Sequence, residues 1–220
     1  RFRPTEPKWE GRDRFIMSKG QASPLLYAVL ADLGFFPADW LKGFCKADGH
    51  FGVHLQHDVP GVEITAGSLG HGFGVATGMA LAAKMDRKLW LTFALLGDGE
   101  CYEGSVWEAA MFAAHNRLNN LIAIVDRNHL AATDFTENMV ELEPLGDKWR
   151  AFGWDVLRID GHDFAQILGA LEGVRSRRSA RPQVIIASTV KGKGVEFMSD
   201  DPLWHAVAPK GDEVDRARTE

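Results

Sequence analysis

Cysteine is nearly absent from this chain, with two residues, Cys45 and Cys101, among 220. Two cysteines cannot build a disulfide framework, which argues against a small secreted scaffold and for a reducing compartment. Long hydrophobic runs are lacking too. The apolar stretch Trp90–Leu96 is far too short to cross a bilayer. With no leader pattern in view either, we expect no membrane contact and a cytoplasmic location. An excess of positive charge is also missing. The formal net charge is −5, and the basic residues are dispersed apart from Arg175, Arg177, Arg178 and Arg181, which argues against a nucleic-acid partner. What the chain does have is a 45% hydrophobic share and 23 glycines. That is enough apolar material for one sizeable core.

We expect a single domain over residues 1–220, with an irregular, charged lead-in over 1–14 and a loop-rich extension over 188–220. Spacing of apolar residues predicts a helix over Pro24–Leu33 and a loop over Gly43–Pro60. Leu69–Lys84 is small and apolar all round, the pattern of a buried helix. Continuous apolar runs predict strands at Trp90–Leu96, Leu121–Val125, Trp154–Ile159 and Val184–Ala187. Helices are predicted between them over Ser105–Leu118, with Ser105 and Glu108 as a capping box, and over Asp163–Val174, capped by Asp163. Strands of this kind alternating with helices predict an α/β fold: a mostly parallel sheet with helices on both faces. Ligands of such sheets sit beyond the carboxyl ends of the strands.

The tetrapeptide Gly97-Asp98-Gly99-Glu100 follows one strand, and Asp126-Arg127-Asn128 follows the next. Asp98 and Asn128 are 30 residues apart, the length of a crossover from one strand end to its neighbour's. A carboxylate and an amide oxygen would then meet at one sheet edge. Both are hard donors suited to Mg²⁺ or Ca²⁺ and not to zinc. Taken alone, Gly-Asp-Gly reads equally as a tight turn. The glycine-rich run Ala66-Gly67-Ser68-Leu69-Gly70-His71-Gly72-Phe73-Gly74 precedes the buried helix. It suits either close approach of backbone to an anion or close packing on the sheet.

Together these pieces resemble the thiamine diphosphate motif. The stretches GVEITAGSLGHGFGVATGMALAAK, LLGDGECYEG and TVKGKGVEFMSDDPLWH resemble transketolases, specifically the N-terminal, diphosphate-binding half in the form where the halves are separate chains. The resemblance implies thiamine diphosphate and Mg²⁺ as cofactors, with Ca²⁺ as a substitute. It implies metal ligands in the Asp98 and Asn128 side chains and the Leu130 carbonyl. Gly97 and Gly99 would let backbone approach the diphosphate, and Gly67 and Leu69 would line the thiazolium and pyrimidine. Glu103 resembles the carboxylate of a proton network between paired active sites. His54 resembles a histidine facing the donor's oxygens, and His205 one near the diphosphate and substrate channel. Lys191 and Lys193 read as a solvated loop that could neutralise phosphate.

The implied activity is transfer of a two-carbon ketol unit from a sugar donor to a carbonyl acceptor. The implied partner is a separate pyrimidine-binding subunit, in an α2β2 heterotetramer. Other thiamine diphosphate subunits, of 2-oxo acid decarboxylase or dehydrogenase type, and a non-catalytic paralogue are the alternatives. One departure stands out: Lys19-Gly20-Gln21-Ala22 occupies the place of a Lys-Gly-His-Ala in the family. Gln21 hydrogen-bonds but cannot titrate, which points to an uncommon acceptor.

Overall fold

Strands with apolar residues on both faces need cover on both sides, and this requirement organises the molecule. The computed structural model describes residues 1–176 and 179–220. Arg177 and Arg178, half of the basic cluster, lie outside the described residues. Five strands, β1 (Arg14–Met17), β2 (Thr92–Gly97), β3 (Leu121–Arg127), β4 (Asp155–Asp160) and β5 (Gln183–Ser188), form one sheet in the order β1-β2-β3-β5-β4. Every pairing is parallel. The expected parallel α/β fold is present. The strand β1 was not foreseen: it is four residues long, opens on an arginine, and hydrogen-bonds to β2 alone, so it carries no readable period. β4 is an edge strand and only half-buried, not the buried strand its apolar run suggested.

The helices are α1 (Ser23–Asp32), α2 (His71–Met85), α3 (Gly104–His115), α4 (Thr136–Met139), α5 (Leu145–Ala151), α6 (Phe164–Ser176) and α7 (Asp212–Thr219). The last lies within the extension expected to be loop-rich. Side chains alternate along each strand, so Ala94, Leu96, Ala123, Val125, Val184 and Ile186 face one way. They pack against Phe73, Ala76 and Ala80 of α2, Val106 and Ala110 of α3, and Trp149 of α5. Trp107, Trp149 and Trp154 pack there in tilted and edge-to-face contacts with ring centroids 4.9–5.2 Å apart. The Trp107 indole N–H donates to the Cys101 carbonyl (2.8 Å).

The opposite face is covered unevenly. α6 seals Ile122 and Ile185 with Ala170 and Val174, and α1 packs at Met17. Between them lies an apolar cavity of about 420 Å³, lined by Phe15, Phe93 and Leu95 below and by Leu25 and Val29 of α1 and Leu33 at its C-cap. Cover on both faces, as expected, is therefore complete on one side only.

Two local expectations fail. α2 is not buried all round, since His71, Gly74, Val75 and Gly78 are exposed. The capping box at Ser105 does not form: a 3-10 turn over Gly99–Tyr102 leads into α3 one residue early, Glu103 becomes the N-cap, and no side chain caps it. Asp163 does cap α6, accepting from Ala165 N (2.8 Å) and Gln166 N (3.3 Å).

Candidate functional site

The parallel register brings Gly97 beside Asp126, so the turns that follow β2 and β3 meet at the carboxyl edge. They form the floor of a cavity of about 1010 Å³. Gln21, Leu69, Gly97, Asp98, Gly99, Glu103, Asn128, Leu130 and His205 all line it.

Asp98 is 1% exposed. Its Oδ1 accepts from Gly99 N (2.8 Å), and its Oδ2 accepts from His129 N (2.7 Å) and Arg127 Nη1 (3.0 Å). Asn128 Oδ1 accepts from Leu130 N (3.0 Å). The period of two turns neighbours Asp126 and Arg127 to opposite faces of β3. Arg127, buried, also donates to Thr136 Oγ1 (2.7 Å), Glu137 Oε1 (2.7 Å) and Glu143 Oε1 (3.1 Å). It thereby fixes the loop that carries Asn128 and Leu130 against Asp98. Asp126 accepts from Lys19 and from Thr189 Oγ1. Burial works to raise its pKa, but the Lys19 charge and these bonds outweigh it and leave the carboxyl below its ordinary range.

Among the described residues, no group of three or more His, Cys, Asp and Glu side chains could hold a metal. A cation here would rest on mixed oxygen donors, and the floor offers them: the Asp98 carboxylate, the Asn128 amide and the Leu130 carbonyl. This set fits Mg²⁺ with positions left over for phosphate oxygens. The fold also leaves room at Gly97, where an added Cβ would meet no atom nearer than Lys19 Cδ at 3.9 Å. That glycine is not required by the chain's own packing.

The rim is looser. Glu103 and His205 are exposed. His205 Nδ1 lies 2.7 Å from Lys191 Nζ. Desolvation first, then the Lys191 and Lys19 charges, hold the His205 pKa below its ordinary value. A neutral ring accepts at Nδ1 and carries its proton on Nε2. Lys191 and Lys193 lie in a loop, as expected, with Lys193 exposed and Lys191 half-buried, and both also line the cavity. Gly67 and His54 are not in its lining. They sit beside it as a pair: an added Gly67 Cβ would lie 3.6 Å from the His54 ring, and Gln21 Nε2 donates to the Gly67 carbonyl (3.0 Å).

The sequence reading missed Glu100 and Arg127. Glu100 is 1% exposed and accepts from Ser18 Oγ, Gly70 N (2.8 Å) and Gly97 N (3.2 Å). Burial raises its pKa, and the three donors offset this only in part. Its place in the Gly97–Glu100 tetrapeptide was the available signal.

A buried oxygen-donor floor beneath a glycine turn, at the carboxyl edge of a parallel sheet, marks an α/β ligand-binding domain whose site opens beyond the strand ends. Residues 1–220 match the family described as "Transketolase, thiamine diphosphate binding domain". The chain is 42% identical over 210 residues to an apulose-4-phosphate transketolase subunit of Actinobacillus succinogenes, covering 95% of this chain and 75% of that one. It is 44% identical over 195 residues to the 6-deoxy-6-sulfo-D-fructose transketolase subunit SqwG of a Clostridium species, covering 88% and 70%. The crystal structure of Campylobacter jejuni transketolase superposes with a TM-score of 0.92 at 33% identity, over 99% of this chain and 35% of that one. The chain spans about a third of that longer transketolase. It belongs to the transketolase family of transferases and carries the family's thiamine diphosphate binding domain. These relatives lend no support to the decarboxylase or dehydrogenase alternative. No helix among the described residues is long and apolar enough to cross a membrane.

Proposed function

We propose that this chain is one half of a two-chain transketolase that moves a two-carbon ketol unit from a ketose phosphate donor to a specialised carbonyl acceptor. The observation that carries the proposal is the convergence of Asp98, Asn128 and Leu130 on one cavity floor. In this reading residues 1–220 act as one domain. The Asp98 and Asn128 side chains and the Leu130 carbonyl hold Mg²⁺, with Ca²⁺ as a substitute. Gly97 and Gly99 admit the diphosphate, and Gly67 and Leu69 flank the rings. Thiamine diphosphate supplies, when bound, the thiazolium carbon that carries the ketol unit.

His205, with Nδ1 facing Lys191, donates from Nε2 toward oxygens on which charge develops, and His54, beside Gly67, does the same. Glu103, exposed at the start of α3, reaches toward a second site across an assembly. The chain works with a separate pyrimidine-binding subunit, most simply as an α2β2 heterotetramer, in the cytoplasm. The Actinobacillus and Clostridium relatives are named as subunits, which supports a separate partner. Their names also support an uncommon sugar.

The test separates the half-reactions. The chain alone should show no ketol transfer. Combined with the pyrimidine-binding subunit, it should form the donor-derived two-carbon species from a ketose phosphate before any acceptor is added. Ketol transfer by the chain alone would refute the two-chain reading, and failure of every ketose phosphate would refute the donor.

A further inference from the structure

Glu100 lies at the meeting point of three segments that surround the cavity, and nothing in the roles assigned above uses it. Its Oε1 accepts from Ser18 Oγ, at the end of β1, and from Gly70 N (2.8 Å), at the start of α2. Its Oε2 accepts from Gly97 N (3.2 Å), at the end of β2. Gly70 is the N-cap of α2 and sits at φ +80°, and no side chain caps that helix. An added Cβ there would fall 2.3 Å from Ser105 Oγ, so only glycine fits and no capping side chain is available. Glu100 accepts from the N–H of this N-cap residue itself, from outside the helix. The approach is close throughout: an added Cβ at Gly72 would lie 2.7 Å from the Ser18 Cα.

We infer that Glu100 is a positioning residue that sets the gap between the Gly67–Gly70 turn and the Gly97–Gly99 turn, and through that gap the affinity for thiamine diphosphate. This rests on the proposed reading, in which the first turn faces the cofactor's rings and the second its diphosphate. One rigid carboxylate bonded to both turns fixes the distance between them. Its third bond, to Ser18, locks the end of β1, from which Lys19 and Gln21 enter the cavity. The loss of one bond to a charged group leaves a buried N–H unsatisfied, worth about tenfold or more in an equilibrium constant.

Glu100→Gln tests this selectively. The amide oxygen keeps Ser18 and Gly70, while the amide NH₂ faces the Gly97 N–H, so the Gly97 tie alone is lost. Thiamine diphosphate is titrated calorimetrically, at saturating Mg²⁺, into this chain assembled with its pyrimidine-binding subunit. The variant should bind about tenfold or more weakly, with kcat at saturating cofactor reduced far less than affinity and the cofactor-free melting temperature lowered by only a few degrees. Unaltered affinity would overturn the inference. So would a fall in kcat at saturating cofactor without a fall in affinity. Wild-type protein that binds no cofactor would overturn the reading of the site as well. Should Glu100→Gln fail to fold, Ser18→Ala removes one donor from the same carboxylate. A weakening of about threefold is then expected, and no weakening overturns the inference.

Discussion

Asp98 and His205 line the same cavity, yet they belong to different kinds of structure. Around Asp98 every polar partner comes from within the chain: Gly99 N, His129 N and the Arg127 guanidinium, with Arg127 tied in turn to Glu137 and Glu143. Around His205 there is one close side-chain partner among the described residues, Lys191, and Glu103 stands exposed. The floor is assembled by folding alone, whereas the rim presents groups with unused bonding capacity. Such a division suits a protein that fixes one end of a ligand and leaves the other to be enclosed by a partner. Changes at the floor should therefore act on binding and stability. Changes at the rim should act on turnover while the fold stays intact.

The sharpest break in this contrast is Asp98→Ala, which removes the carboxylate from the oxygen set. Mg²⁺-dependent binding of thiamine diphosphate by the assembled enzyme should be abolished in calorimetry, and a chelator should do the same to the wild type. Tight binding in either case would sink the metal assignment.

Next comes Arg127→Met, which leaves Asp98 buried without its counter-charge. A loss of about 3–5 kcal/mol in urea unfolding is expected, the usual result of breaking one side of a buried pair. Breaking the exposed Arg216–Glu220 pair should cost less than about 1 kcal/mol. Acid supplies a companion measurement. Burial works to raise the Glu143 pKa, but bonds from Leu145 N and Arg127 prevail and hold it below the ordinary 4.5, and Asp126 is likewise held below 3.8. Carboxyls lowered on folding add stability at higher pH and lose it as pH falls through their folded values. Melting temperatures should hold steady down to about pH 5 and fall steeply below it, and Arg127→Met should reduce the Glu143 share of that fall, the Leu145 N bond keeping the rest.

The floor and the rim were not equally legible. The strands β2 and β3 and the Asp98–Asn128 pair could be read from sequence because a doubly covered parallel strand leaves an unbroken apolar run, and a crossover has a characteristic length. Glu100 and Arg127 escaped because their roles depend on partners brought from elsewhere: Ser18 and Gly70 for one, Glu137 and Glu143 for the other. The strand β1 escaped because four residues beginning with Arg14 show no period. Capping at Ser105 failed because the chain enters α3 through a 3-10 turn that spacing cannot reveal. Lys191 looked like a solvated loop residue because nothing local signals that its loop folds back over the cavity.

Smaller effects should separate the rim from the floor. His205→Ala should change folding stability by no more than about 0.5 kcal/mol while lowering kcat about tenfold or more through loss of a hydrogen-bond donor. A large stability loss would place His205 in the structural set with Arg127. The mildest change is Gln21→His. A neutral amide bond is roughly half as strong as a charge-assisted one, so the histidine variant should use an aldose phosphate acceptor better, or equally well if other acceptor contacts also differ. The comparison is made by discharging the donor-derived species with acceptors in turn. If ribose 5-phosphate discharges the wild type at an ordinary rate, Gln21 is a tolerated substitution.

The tryptophan cluster beneath the sheet has an optical consequence. Trp107 is bonded to the Cys101 carbonyl, three residues along the chain from Asp98, and its ring packs on Trp149, which packs on Trp154. Excitation energy passes readily among indoles this close, so the cluster behaves as one emitter with an end tied to the cavity floor. Its fluorescence is a label already built into the chain. Stepwise addition of Mg²⁺ and thiamine diphosphate should shift or quench the emission in the wild type and leave it unmoved in Asp98→Ala, so that loading of the site can be followed in real time without any substrate.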